Sequence, residues 1–388
     1  KAVEQALRAQ AYQQDCHIIA IGKGADAMTR GAMNMLHEHI ISGIAINKAG
    51  DFSTQLLNDA RINCVEGEHP VPNEKSLAAG QALLTYIQQL PEDATCLVLF
   101  SGGASSLVEV LADGWTLADL QALTRYLLGS GYDIHAMNAV RRRVSQIKGG
   151  GLWQFLGQRQ VTALLISDVP HDDPQVIGSG VLFPVDEAHD MLPDLPEQWA
   201  NRLPKRQAVQ QGAKFQWSII ASLALAKQAA YEKAKALGYQ AQIVDEFMEG
   251  YARDAAQHIV QSLTKAPLGL SVWGGETTVV LPENPGLGGR NLHVALSAAV
   301  ELQDKPNMLV LSASTDGIDG VTQEAGAIVD SHTVERGEQQ GLSAENCLQR
   351  ADAYTFLSAS EDLIHTGATG TNVMDLVLGL VMSNDTEQ

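Results

Sequence analysis

The stretch HIIAIGKGADAM, residues 17–28, opens with an apolar, β-branched run from His17 to Ile21, halts at Gly22-Lys23-Gly24 and continues as a helix-forming segment. A run of four to six apolar residues closed by a turn signal and followed by a helical pattern makes a βα unit. The same design recurs at Thr95 to Phe100 before Ser101, at Val161 to Ile166 before Ser167 and at Met308 to Leu311 before Ser312. Repeated βα units build a mainly parallel sheet, so an α/β fold is expected. Between two of these strands, Asn73 stands where it would cap a helix whose Leu83, Leu84, Ile87 and Leu90 share one face.

The chain has 388 residues, enough for two domains. The stretch PVDEAHDMLPDLPEQWANRLPKRQAVQQ, residues 184–211, holds four prolines and no sustained apolar period, so the part from Asp186 to Gln211 reads as a linker. It separates an expected amino-terminal domain, 1–205, from a carboxyl-terminal one, 212–388. The latter has its own apolar runs at Gln242 to Val244, Ser271 to Trp273, Thr277 to Leu281 and Met308 to Leu311. The last segment, 371–382, reads as a helix, and the sequence leaves open whether it packs on the first domain.

Lys and Arg number 26 against 45 Asp and Glu, a net charge of −19. Such a chain has no general field for a polyanion, which argues against nucleic acid and anionic membranes as partners. Small anions stay open, because a few cations in one turn can outweigh the average. The four cysteines, Cys16, Cys64, Cys96 and Cys347, form no CxxC pair, as expected of a reduced, cytoplasmic protein. No window approaches the roughly 18 apolar residues of a membrane span. The opening KAVEQALRAQ reads as a helix and not as a signal peptide, and because it starts on Lys1 and not Met, residues upstream of it are left open. The oligomeric state is left open, a homo-oligomer included.

In parallel α/β sheets ligands bind beyond the carboxyl ends of the strands, so each strand end is a candidate site. At the first, Gly22 and Gly24 permit close backbone approach to an anion and Lys23 adds a full charge. Gly22, Gly24 and Ala27 also satisfy G-x-G-x-x-A, the dinucleotide fingerprint, but the next strand ends in Asn47 and Lys48 where a ribose-binding acid belongs. At the second, Ser101, Gly102, Gly103 and Ser105 form a hydroxyl-flanked nest of amides suited to a carboxylate or phosphate. It lacks the Gly-Lys-Ser/Thr of a P-loop and the G-x-S-x-G of a nucleophile elbow. His69, in EGEHPVPNE, reads either as a hydrogen-bond partner for a hydroxylated ligand or as a satisfied structural histidine. Arg141, Arg142 and Arg143 read as a solvated face, whereas Lys148, just before Gly149, reads as a ligand contact. Asp168, two residues after its apolar run, suits Mg²⁺ coordination or proton abstraction from a hydroxyl.

The second half adds Gly274-Gly275-Glu276, the helix start Gly288-Gly289-Arg290-Asn291, where a guanidinium beside a helix amino terminus makes an anion site, and the turn holding Asp316 and Asp319, suited to a metal or a sugar hydroxyl; as isolated turns all three are equally at home as caps.

The ordered set AIGKGADAM, EGEHPVPNE, SGGASSL, NAVRRRVSQIKGG, SDVPHDDP, GGETTV, GGRN, STDGIDG and TGATGTNVMDL resembles the class II glycerate 2-kinases along essentially the whole chain. The resemblance implies a Rossmann-like three-layer α/β/α glycerate kinase domain joined to a smaller α/β domain of the MOFRL type, with the active site in the cleft between them. It implies ATP-dependent, Mg²⁺-assisted phosphorylation of D-glycerate at the 2-hydroxyl. The family's catalytic Lys, Asp and Arg fall on Lys23, Asp168 and Arg290. Gly22, Gly24, His69, Ser101, Gly102, Gly103, Ser105, Lys148, Glu276, Asn291, Asp316 and Asp319 are then expected to bind substrate or nucleotide, without a division between ATP and glycerate. Ala104, Gly151, His171, Val181 and Ser314 depart from the usual family residues, of which Gly151 and His171 bear on substrate preference. Some family members carry the name hydroxypyruvate reductase, so NAD(P)H-dependent reduction is the alternative, and a non-catalytic sugar-acid-binding protein is a third reading.

Overall fold

The computed structural model describes residues 1–132, 134–186, 191–205 and 209–383, apart from the side chains of residues 134 and 135. The chain divides into two compact units, Lys1–Ile220 and Ala221–Gln388. The expected linker differs from this picture. Its residues 187–190 and 206–208 lie outside the described residues, but Trp199 between them is buried in the short helix Glu197–Ala200 and stacks on Trp115 with ring centroids 6.1 Å apart. An aromatic anchored in a cluster with Leu120, Leu123 and Leu127 ties this stretch to the first unit.

The first unit holds β1 (Cys16–Ile21), β2 (Ile40–Lys48), β3 (Ile62–Gly67), β4 (Thr95–Phe100), β5 (Gln160–Ile166) and β6 (Phe215–Ala221), in the sheet order β3-β2-β1-β4-β5-β6. β1 runs parallel to β2 and β4, β2 to β3, and β4 to β5. Every residue of β1 is buried, as in a sheet covered on both faces. Ile19, Ile21, Ile44, Ile46 and Val98 share a core with Leu83, Leu84 and Ile87 of the helix Glu74–Gln89, whose amino end is capped by Asn73 through the Lys75 amide. The alternate residues Ile18 and Ala20 point away from that core and are equally buried. Because β6 completes this sheet, the first unit reaches past residue 212, where the second domain was expected to start.

The second unit holds β7 (Ala241–Met248), β8 (Gly269–Gly275), β9 (Met308–Ser314), β10 (Gly326–Val329), β11 (Leu363–Ile364) and β12 (Asp375–Val381), ordered β11-β10-β9-β12-β8-β7. Here the sheet is mixed: β7 and β8 are parallel, whereas β12 runs antiparallel between β8 and β9. The expected helix at 371–382 is therefore a central strand of the second unit's own sheet. DLVLGLV is a short apolar run whose burial alternates along the strand, and periodicity alone does not separate such a run from a buried helix. Thr277 to Leu281 also departs from expectation: apart from a bridge from Thr278 to Tyr251 it forms no strand, and Val280 and Leu281 are exposed. Among the described residues no helix is long and apolar enough to cross a membrane.

Candidate active site

The strand order of the first sheet reverses between β1 and β4, and the switch point of an open parallel sheet is where a crevice forms at the strand ends. The turns after these strands are locked together there. The Lys23 amide donates to the Gly102 carbonyl at 2.9 Å, the Ser101 amide to the Ile21 carbonyl at 3.0 Å, and the Gly24 amide to Ser101 Oγ at 2.9 Å. Gly22 has φ +130°, open to glycine, and any side chain on it would run into Ser101. Buried Ser101 thus holds the lysine-bearing turn in place.

Lys23 is exposed, and its stem passes over Gly103 beside His69: a methyl group added to Gly103 would stand 3.1 Å from both Lys23 Cγ and His69 Cδ2. The half-buried Asp168 carboxylate lies directly against Gly102, leaving no room there for a side chain. Lys23, His69, Gly102, Gly103 and Asp168 therefore surround one patch of backbone. Ser105 hydrogen-bonds Ser179 at 2.8 Å on the next turn. Burial first, then the charges of Lys23 and Lys48, push the His69 imidazole down to about 4, so near neutral pH it is an uncharged hydrogen-bonding group. Lys48 and Ser179 were not singled out from the sequence. Lys48 was recognisable only as a cation at a strand end, and Ser179 carried no local signal.

Lys148 differs from expectation. Its side chain is 0% exposed and its ammonium pairs with Glu109, which also accepts from Ser145 Oγ at 2.6 Å. Burial pushes the Lys148 pKa down and Glu109 opposes that shift. The adjacent arginines do not form a solvated face either, since Arg142 is buried. Removing one member of a buried pair strands the other charge. Glu109→Gln is expected to cost about 3–5 kcal/mol of stability, read from the midpoint of urea unfolding. An unchanged midpoint would show that the pair contributes nothing.

In the second unit, β12 enters between β8 and β9 with Asp375 opposite both Gly275 and Ser314. Arg290, the first residue of the helix Arg290–Leu302, donates from Nε to Asp375 Oδ2 at 2.5 Å, from Nη2 to Asp375 Oδ1 at 3.3 Å and from Nη1 to Glu276 Oε1 at 2.5 Å. The anion expected at this helix start is supplied by the protein: Asp319 accepts from the Asn291 amide at 3.0 Å and the Leu292 amide at 2.8 Å. Asn291 is buried and accepts from Ser312 Oγ at 2.8 Å, while Asp316 takes Ser314 Oγ at 2.8 Å and the Ile318 amide at 3.0 Å. Asn291 and Asp319 thus brace the helix start that carries Arg290, while Asp316 accepts within its own turn, so both carboxylates serve locally as caps. Burial pushes the carboxyls of Asp319 and Asp375 up, against the donors they accept from. Asp375 was not singled out from the sequence, although it lies within the quoted TGATGTNVMDL.

Comparison with known proteins follows these two units. The profile described as "Domain of unknown function (DUF4147)" matches residues 1–206, and that of the "MOFRL family" matches residues 269–375. The D-glycerate 2-kinase of Thermotoga maritima is 35% identical, over 94% of this chain and 90% of its own length. A protein of Agrobacterium vitis named "Putative hydroxypyruvate reductase" is 34% identical, over 93% of this chain and 98% of its own. The crystal structure of the Thermotoga maritima glycerate kinase superposes with a TM-score of 0.85 at 31% identity, covering 98% of this chain and 95% of that one. With both domain profiles in order and relatives matched along nearly the full length, the chain belongs to the class II glycerate 2-kinase family.

Proposed function

We propose that this enzyme transfers the γ-phosphoryl group of ATP to the 2-hydroxyl of D-glycerate, giving 2-phosphoglycerate. The observation that carries the reading is the placement of the Lys23 side chain and the Asp168 carboxylate around the Gly102-Gly103 backbone at the switch point of the first sheet. Phosphoryl transfer asks a protein for positioning and for stabilisation of spreading negative charge, with little covalent work. Lys23 supplies a cation for the phosphoryl oxygens, and Arg290 is proposed as the second. Uncharged His69 offers a hydrogen bond to a hydroxylated ligand without adding charge. Asp168 accepts the proton of the glycerate hydroxyl or holds the metal.

Among the described residues no three His, Cys, Asp or Glu side chains converge as a metal cage. One carboxylate at a phosphate-binding turn fits Mg²⁺, which is commonly held by one or two carboxylates together with substrate phosphates and water. Asp168 is the residue that would hold it, and the ion would neutralise phosphate charge. The reductase reading is less well supported, because β2 ends in buried Asn47 and exposed Lys48 where a ribose-binding acid would stand.

Purified enzyme given D-glycerate, ATP and Mg²⁺ is expected to form 2-phosphoglycerate, resolved from the 3-isomer by phosphorus NMR. Formation of the 3-isomer would overturn the regiochemistry. Absence of phosphorylation together with NAD(P)H oxidation in the presence of hydroxypyruvate would establish the reductase instead.

A further inference from the structure

Arg290 is held by two acids of opposite character. Asp375 is 2% exposed, takes the Nε edge of the guanidinium with both oxygens, and is fixed as the first residue of a strand paired on both sides. Glu276 takes only Nη1, through one oxygen, and is 47% exposed. It lies just past the end of β8, its backbone amide bonded to the Met248 carbonyl at 2.8 Å, so the side chain can swing away while the main chain stays paired. A third acid, Asp319, lies close by, but both its oxygens are committed to the Asn291 and Leu292 amides. Arg290 is itself 30% exposed, so its side chain is within reach of solvent.

We infer that Asp375 is a positioning residue that fixes the Arg290 fork, and that Glu276 is an exchangeable counter-ion, standing in for an anionic substrate group that displaces it from Nη1. This rests on the reading of Arg290 as a catalytic cation. The incoming group is a phosphate or carboxylate oxygen, planar or tetrahedral acceptors that a guanidinium recognises with two parallel donors. Asp375 cannot be the group that leaves: it is desolvated, and its departure would strand a buried carboxylate. Glu276 loses little by leaving, because a half-exposed ion pair is weak and its carboxylate regains water.

Single and double variants of the full chain test this by steady-state phosphorylation kinetics. Glu276→Gln removes the competing charge, and the KM of the substrate whose anion lands on Arg290 is expected to fall about 2- to 5-fold, the release of one exposed pair. An unchanged or raised KM for both ATP and glycerate would overturn the exchange. Asp375→Asn is expected to lower kcat/KM about 100-fold through misplacement of the guanidinium. In an Arg290→Lys background, which has no Nε edge to orient, the same Asp375→Asn change is expected to cost less than about 3-fold if the two residues act as a unit. Full additivity would make Asp375 merely structural. Should Asp375→Asn fail to fold, the Glu276→Gln KM shift still decides the exchange. Parent-like turnover by Arg290→Lys would instead remove Arg290 from the mechanism, and so tells failure of the underlying reading apart from failure of this inference.

Discussion

Lys23→Ala is expected to lower kcat about 100- to 1000-fold, the loss seen when one preorganised donor is taken from a developing negative charge. The fold should survive. Lys23 is exposed, and the contact that locks its turn is made by its backbone amide to the Gly102 carbonyl, which alanine keeps. If the ammonium acts mainly on the phosphoryl group in transit, kcat carries the loss and the glycerate KM moves little. A second readout is independent of turnover. Lys23 helps hold His69 near 4, so its removal should raise the His69 pKa toward the ordinary value near 6.5, visible in the imidazole proton shifts on titration. The direction follows from charge alone: a cation beside an imidazole disfavours imidazolium, and deleting it restores protonation. A near-parent kcat would exclude Lys23 from the chemistry, and an unmoved His69 would show that the two side chains are not neighbours in solution.

The first half of the site was legible because its signals are local. Gly22-Lys23-Gly24, Ser101-Gly102-Gly103 and Asp168 each follow an apolar run at once, and parallel pairing carries such strand ends to one edge of the sheet. The surroundings of Arg290 were legible only in part. Gly-Gly-Arg-Asn marked the helix start, but the acid that grips the guanidinium lies 85 residues further on. Asp375 reaches it only because β12 inserts antiparallel between β8 and β9, in a segment whose apolar run suits helix and strand alike. Lys148 failed for a related reason. A lysine before a Gly turn looks available, and nothing near it in sequence announces Glu109, 39 residues earlier. Pairings of buried charges are set by tertiary packing, which a window of ten residues does not contain. The helix amides at Asn291 and Leu292 show the same limit: the turn reads as an anion site, and the anion found there is Asp319, 28 residues further on.

Asp168→Asn separates the two roles open to that carboxylate, and its effect on turnover is expected to be about 100- to 10,000-fold, the range of a positioned proton acceptor. The substitution preserves shape, so the close packing against Gly102 is retained and thermal stability should change little. What is lost is the negative charge. If Asp168 takes the proton of the glycerate hydroxyl, kcat falls while the Mg²⁺ concentration giving half-maximal rate stays where it was. If Asp168 holds the ion, that concentration rises and saturating Mg²⁺ recovers part of the rate, since an amide oxygen is a weaker ligand than a carboxylate. The two outcomes cannot be confused, because a base has no reason to respond to added metal. Turnover within about 3-fold of the parent at every Mg²⁺ concentration would fall far below the cost of losing a proton acceptor and leave Asp168 a structural neighbour of Gly102. In that event the hydroxyl proton would leave by another route, and uncharged His69, beside Lys23 at the same patch of backbone, offers a neutral acceptor there.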